Sequence, residues 1–316
     1  MTLFITEEEV GNLLDMRSAL EAVEEVLRQQ AEGRATNRPR RRVALRGSML
    51  NVMYAGAPEI GALGLKAYTV ARAGARFYTM LFDPESGELL SIMQSDKLGQ
   101  LRTGAASGVA TRHLAREDAD SLGLYGAGWQ AESQLEAIAA VKKLSRVVVH
   151  TRTEESRKAF AEKMSDRLGM EIETTHAPEE PAVQDIVVTS TSSKEPVLLG
   201  EWLKPGTHVN ATGSNFLFKS EIDRYVVNRA SLVTIDSREE LGLEAGSLLQ
   251  PFETGVVIPE AVRELGQVIA GQVPGRQAPE DITLFASQGI PLEDLAVARL
   301  VYDRAVEEGV GREMDF

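Results

Sequence analysis

Lys66 stands inside an apolar run, residues 63–70. Desolvation disfavours the charge of an ammonium, so a lysine on a partly buried strand has a lowered pKa and serves as an acid, a base or an imine-forming amine. The plainer reading of the same residue is a snorkelling or ion-paired lysine. Arg102 stands between Leu101 and Thr103-Gly104-Ala105-Ala106, whose small side chains invite close packing. A guanidinium there can grip a substrate carboxylate through two hydrogen bonds, or it can belong to a buried ion pair.

Gly126-Ala127-Gly128-Trp129-Gln130-Ala131 is a G-x-G-x-x-A run between a short apolar segment and a helical one. The first glycine allows a tight turn, and the second lets the backbone approach a pyrophosphate. The small third residue lets helix and strand pack, and the helix start offers free amides to the anion. Gly126, Gly128, Trp129 and Gln130 are therefore candidate cofactor contacts, against the plain alternative of a glycine turn without a ligand. The next strand ends in Val149-His150-Thr151-Arg152-Thr153, without the acid that bonds the ribose of NAD. Arg152 with the hydroxyls of Thr151 and Thr153 suits a 2′-phosphate, so NADP is preferred over NAD. In the alternative, Arg152 is a surface charge and Glu154 or Glu155 reaches the ribose. Thr103 and the run Thr189-Ser190-Thr191 are further candidates for cofactor contact.

These residues need elements to hold them. Thr6 with Glu9 makes a capping-box pattern, and Asp15 caps a second helix that Gly33 ends. Residues 49–54, 63–68 and 77–82 are β-like, residues 84–87 form a turn, and together they predict an antiparallel meander. Residues 97–114 read as a helix rich in small side chains. From Ser121 strands at 122–125, 147–149, 186–188 and 209–211 alternate with helical stretches, one of them 131–144, which predicts a doubly wound parallel sheet. A final helix, 292–308, is read as returning to the first domain.

Composition narrows the partners. With 316 residues, two domains are expected. The net charge of −13 argues against nucleic acid and anionic membranes. Locally, Arg38-Pro39-Arg40-Arg41-Arg42 reads mostly as a solvated strand or loop face. The absence of cysteine excludes disulfides, thiol catalysis and cysteine-bound zinc. The four histidines lack metal-site spacing, so no metal is expected. No stretch of about 18 apolar residues occurs, and the start of the chain lacks the pattern of a signal peptide, so a cytoplasmic location is expected.

Five segments in order resemble the ornithine cyclodeaminase/mu-crystallin family: 63–66, 101–107, 126–131, 206–215 and 285–294. The resemblance spans nearly the whole chain. It implies an α/β fold, with a Rossmann doubly wound parallel sheet at 118–297. A substrate-binding and dimerisation α+β domain would take 1–117 together with 298–316. It also implies a homodimer. In that likeness Lys66 matches the active-site lysine. Arg102 and the arginine after Pro39, assigned to Arg41, match carboxylate-binding positions. Ser287 and Gly289 match a loop that approaches the nicotinamide, and Asp294 matches an acid at a helix start nearby.

One departure matters. Where ornithine cyclodeaminases of the family carry an aspartate for the substrate amino group, this chain has Asn215, and an amide does not take a proton as a carboxylate does. The resulting expectation is an NAD(P)H-dependent oxidoreductase acting on the C=N/CH–NH bond of a small amino or imino acid, of the ketimine-reductase or alanine-dehydrogenase kind. The alternatives are cyclodeamination of ornithine and a non-catalytic NADP(H)-binding protein. Met53, Tyr68, Tyr78 and Phe216 are candidates for lining the substrate pocket.

Overall fold

The computed structural model describes residues 2–213 and 215–315; Ser214 of the 206–215 motif lies outside the described residues. The chain divides into two compact units, Met1–Thr103 with Gly289–Phe316, and Gly104–Gln288.

The first unit opens with β1 (Thr2–Ile5). Thr6 caps α1 (Glu7–Leu13): its hydroxyl accepts from the Glu9 amide, and Glu9 accepts from the Thr6 amide, the reciprocal pair their spacing predicts. Asp15 caps α2 (Met16–Ala31), accepting from the Ser18 amide. Gly33, at φ +73°, ends that helix by donating to the Gln30 carbonyl. The meander follows as β2 (Thr36–Leu45), β3 (Ser48–Ala57), β4 (Ala62–Ala71), β5 (Gly74–Phe82) and β6 (Leu89–Gln94), with β1 running parallel beside β6. Opposite Tyr54 and Val52 of β3 stand Arg38 and Arg41 of β2, so β2 carries one extra residue at Pro39-Arg40. Pro39 has no N–H for the ladder, which suits it to a bulge. Helix α3 (Asp96–Leu114) then begins.

The second unit contains β7 (Ser121–Tyr125), α4 (Trp129–Val141), β8 (Arg146–His150), α5 (Glu154–Leu168), β9 (Glu173–Thr174), β10 (Ile186–Thr189) and β11 (His208–Ala211). It continues through α6 (Arg224–Arg229), β12 (Ala230–Ile235), α7 (Gly246–Glu253), β13 (Arg263–Glu264), α8 (Leu265–Ile269) and β14 (Ile282–Ala286). Its strands form an eight-stranded parallel sheet in the order β13-β12-β14-β11-β10-β7-β8-β9. Alternate side chains enter two cores. Leu122, Val147 and Val188 join Leu135 and Phe160, while Val187, Val209 and Leu284 join Val226 and Leu248. Burial on both faces makes the strands continuously apolar. The small residues of α3 have their reason here: a Cβ on Gly104 would lie 2.4 Å from the Ser133 carbonyl oxygen of α4.

Helix α9 (Pro291–Glu308) and β15 (Arg312–Met314) complete the first unit, with β15 antiparallel to β1 at the edge of a seven-stranded sheet. Helix α9 lies on this sheet, where a Cβ on Gly64 would meet Leu295 at 3.0 Å and the Met80 carbonyl oxygen at 2.2 Å. The unit boundaries differ from 117/118 and 297/298. The latter would cut α9, whose buried face packs on β3, β4 and α2. Among the described residues no helix is long and apolar enough to cross a membrane.

Candidate active site

In the first unit Lys66 points inward from β4 and is 3% exposed. Its Nζ lies 2.6 Å from Asp294 Oδ1, near the start of α9. The same oxygen accepts from Arg102 Nε at 3.1 Å, while Arg102 Nη1 donates to Glu293 Oε2 at 2.8 Å. The Phe77 ring centroid is 5.3 Å from the Lys66 ammonium. Burial pulls the Lys66 pKa below its ordinary value although Asp294 opposes this. Burial pushes the Asp294 carboxyl up, but Arg102 and Lys66 outweigh it and hold the pKa below the usual range. The small residues around the cluster are dictated by it. A Cβ on Gly99 would sit 2.9 Å from Lys66 Nζ, and one on Gly289, at φ +76°, would sit 2.6 Å from Arg102 Nη1.

The second expected arginine is displaced by one position. Arg41 is exposed, and Arg40 is buried. Unbroken alternation from the buried Asn37 would turn Arg41 inward, but the bulge turns Pro39 and Arg40 inward in succession. Arg40 Nη2 donates to the Gly289 carbonyl at 3.2 Å, and its Nε reaches Met53 Sδ at 3.3 Å. Its guanidinium is 5.9 Å from the Tyr68 ring centroid. Of the candidate pocket residues, Met53 is buried, Tyr68 and Phe216 are half-buried and Tyr78 is exposed.

The second unit gathers most of the candidate cofactor contacts at one edge of its sheet. They follow the carboxyl ends of β7, β8, β10 and β14, which is where open parallel sheets bind ligands. Gly126 takes φ +111°, and a Cβ there would lie 2.2 Å from the Ser190 carbonyl oxygen. Gly128 begins α4 with no side-chain cap, and a Cβ there would meet nothing within 4 Å. That open approach to a helix start suits a dinucleotide pyrophosphate. Trp129 is 46% exposed, and Gln130 is half-buried on the same first turn. After β8, Arg152 is exposed, the Thr151 carbonyl accepts from Arg157, and Thr153 caps α5 through the Ser156 amide. Ser190 donates its amide to the Tyr125 carbonyl at 2.9 Å. Ser287 is buried, with its amide on the Ala211 carbonyl at 3.0 Å. Thr103 belongs to the first unit, its hydroxyl donating to the Gly99 carbonyl at 2.7 Å. Asn215 follows β11 and is half-buried.

The model of the ornithine cyclodeaminase/mu-crystallin family matches residues 1–309. The chain belongs to that family. A Bacillus cereus relative, Delta(1)-pyrroline-2-carboxylate reductase, is 34% identical over 99% of this chain and 100% of its own. The Thermococcus litoralis Delta(1)-pyrroline-2-carboxylate reductase, solved with NADH and L-proline, superposes with a TM-score of 0.93 at 31% identity, covering 99% of this chain and 100% of that one. An archaeal alanine dehydrogenase dimer with bound NAD superposes at 0.94 with 34% identity, covering 100% of this chain and 99% of the other.

Within this member of the family, several buried charged groups carry no signal in the sequence. Glu293 stands beside Asp294 and binds Arg102. Glu221 and Asp236 are buried in the second unit, Asp236 accepting from the Gln288 amide. Glu221 and Asp236 have polar neighbours in sequence and Glu293 stands in the first turn of a helix, where acids are common on exposed surfaces, so nothing in composition or spacing marks them as buried. Among the described residues no group of three or more His, Asp or Glu is arranged to hold a metal.

Proposed function

We propose that this chain is an NAD(P)H-dependent reductase of the C=N bond of a small imino acid, able to oxidise the CH–NH bond of the matching amino acid. The observation that carries this reading is the buried Lys66–Asp294 pair with Arg102 on the same carboxylate. Full-length likeness to pyrroline-carboxylate reductases and an alanine dehydrogenase supports it.

Lys66 delivers the proton that the substrate nitrogen or carbonyl takes up as it is reduced. Its lowered pKa eases that transfer, while Asp294 holds the ammonium in one direction. Arg102 and Arg40 hold the substrate carboxylate, and the aromatic rings of Tyr68 and Phe77 cover the cationic groups. The nicotinamide, when bound, supplies or accepts the hydride. Gly126, Gly128, Trp129 and Gln130 would hold its pyrophosphate, and Thr189, Ser190, Thr191, Ser287 and Gly289 its nicotinamide end. Asn215, standing where ornithine cyclodeaminases of the family carry an aspartate, would meet the substrate with an amide, which does not take up a proton as cyclodeamination requires.

NADP is the preferred cofactor. No acid closes β8, Arg152 is exposed beside Thr151 and Thr153, and the carboxylate of Glu154 is engaged by Lys158. A homodimer is also proposed. Val43, Leu45, Leu50, Tyr54 and Leu63 expose an apolar face on β2, β3 and β4, as a partner sheet would require.

The test follows NADPH and NADH absorbance with cyclic imino acids, and with pyruvate or glyoxylate with and without ammonium or methylamine. Oxidation with one acceptor, faster with NADPH, is expected. Silence across the panel from protein that binds nucleotide would overturn the reductase reading.

A further inference from the structure

Glu221, in the second unit, is 1% exposed. Three donors converge on its carboxylate. The Thr191 amide donates to Oε1 at 2.5 Å; the Gly213 amide, at 2.6 Å, and the Thr189 hydroxyl, at 3.1 Å, donate to Oε2. Thr191 lies just past β10 and Gly213 just past β11, and these strands are parallel neighbours. One side chain therefore ties the two loops at the carboxyl ends of adjacent strands. Its own backbone is anchored, because its carbonyl accepts from the amides of Val197 and Leu198 at 2.8 and 3.1 Å. Gly213 is shaped to it, since a Cβ there would lie 2.4 Å from Glu221 Oε1.

Burying a carboxylate is unfavourable unless hydrogen bonds compensate it. An apolar side chain of similar size would fill the same space without that penalty. What the carboxylate does and an apolar group cannot do is fix the direction of two backbone amides. Thr189 to Thr191 stand on one side of this joint, and Asn215 is two residues beyond its other side.

We propose that Glu221 is a positioning residue of the nucleotide site: its carboxylate sets the loops after β10 and β11 in the geometry that receives the nicotinamide end of NAD(P)H. This rests on the reading that the loop at 189–191 contacts the cofactor.

The test compares the full-length parent with Glu221→Gln. Glutamine keeps the size and one acceptor oxygen but turns an amide NH2 toward a backbone N–H. Titration of NADPH and NADH fluorescence should give a Kd raised about tenfold or more, the loss of one hydrogen bond to a charged group. KM for the imino acid should rise with it, while circular dichroism and the elution volume stay unchanged. A folded Glu221→Gln protein whose Kd and KM stay within about twofold of the parent would overturn the proposal, even with a lowered Tm, because the bonds would then be merely structural. If that variant does not fold, Gly213→Ala strains the same joint from the loop side. It should weaken nucleotide binding as Glu221→Gln would, and an unchanged Kd overturns the proposal. A parent protein that binds neither nucleotide overturns the cofactor reading itself, and this proposal with it.

Discussion

Lys66→Met removes the ammonium and keeps a long, unbranched side chain. A positioned acid or base contributes about 10²- to 10⁴-fold to a rate, or about 3–5 kcal/mol of barrier. In the parent the Lys66 nitrogen lies 2.6 Å from Asp294 Oδ1, and Arg102 reaches the same oxygen at 3.1 Å. Breaking a buried ion pair costs about 3–5 kcal/mol when the remaining charge is left alone. Here Arg102 still compensates Asp294, so the loss of stability should fall below that range. Turnover should drop by about three orders of magnitude, while NAD(P)H fluorescence titration gives nearly the parent Kd, because the nucleotide contacts lie on other elements. The parent has a matching pH signature. If Lys66 is the acid, reductive kcat/KM falls as pH rises through its pKa, and that limb lies below the ordinary lysine value of 10.5 because burial lowers it. Folded Lys66→Met protein that binds nucleotide and turns over within about tenfold of the parent would refute the role.

Arg152→Glu should raise the Kd for NADPH about tenfold or more by removing charge-assisted bonds to a 2′-phosphate. It should affect NADH far less, and an unaltered preference between the two would remove Arg152 from the site. Gly126→Ala places a Cβ 2.2 Å from the Ser190 carbonyl oxygen on backbone at φ +111°. It should cost about 1–3 kcal/mol in strain, read as a lowered Tm, and abolish nucleotide binding. Asp15→Ala removes the cap of α2 and should cost about 1 kcal/mol near neutral pH in urea unfolding. Burial raises the Asp15 pKa, but bonds from the Ser18 amide and hydroxyl and from Arg304 overcome this and take it from 3.8 down to about 2. A depressed carboxyl pKa contributes stability above its unfolded value and loses it as pH falls through the folded one. The difference between parent and Asp15→Ala should therefore shrink between pH 3.8 and about 2, and a constant difference there would contradict the cap.

Local signals were legible without coordinates. The Thr6/Glu9 and Asp15 caps, the meander and the parallel sheet rest on short-range chemistry and periodicity, which neighbouring residues carry in full. The turn at Gly126 was legible for the same reason: its glycine is required by its own φ and by the nearby backbone. Lys66 could be singled out because a lysine in an apolar strand conflicts with its surroundings, yet its role as salt-bridge partner or acid stayed open. That question turns on Asp294, 228 residues away in sequence.

The tertiary structure decided what depends on register and distant contact. Whether Arg40 or Arg41 faces inward is set by one extra residue in β2 opposite β3, since a one-residue shift reverses every side chain beyond it. The burial of Glu221 depends on amides from two loops that only the pairing of β10 with β11 brings together. The sequence by itself determined the elements and the residue types able to do chemistry, because dihedral preference and periodicity are local. Which charges meet and which donors converge on them was decided by strand pairing and helix packing, because electrostatic and hydrogen-bond energies depend on distances in space.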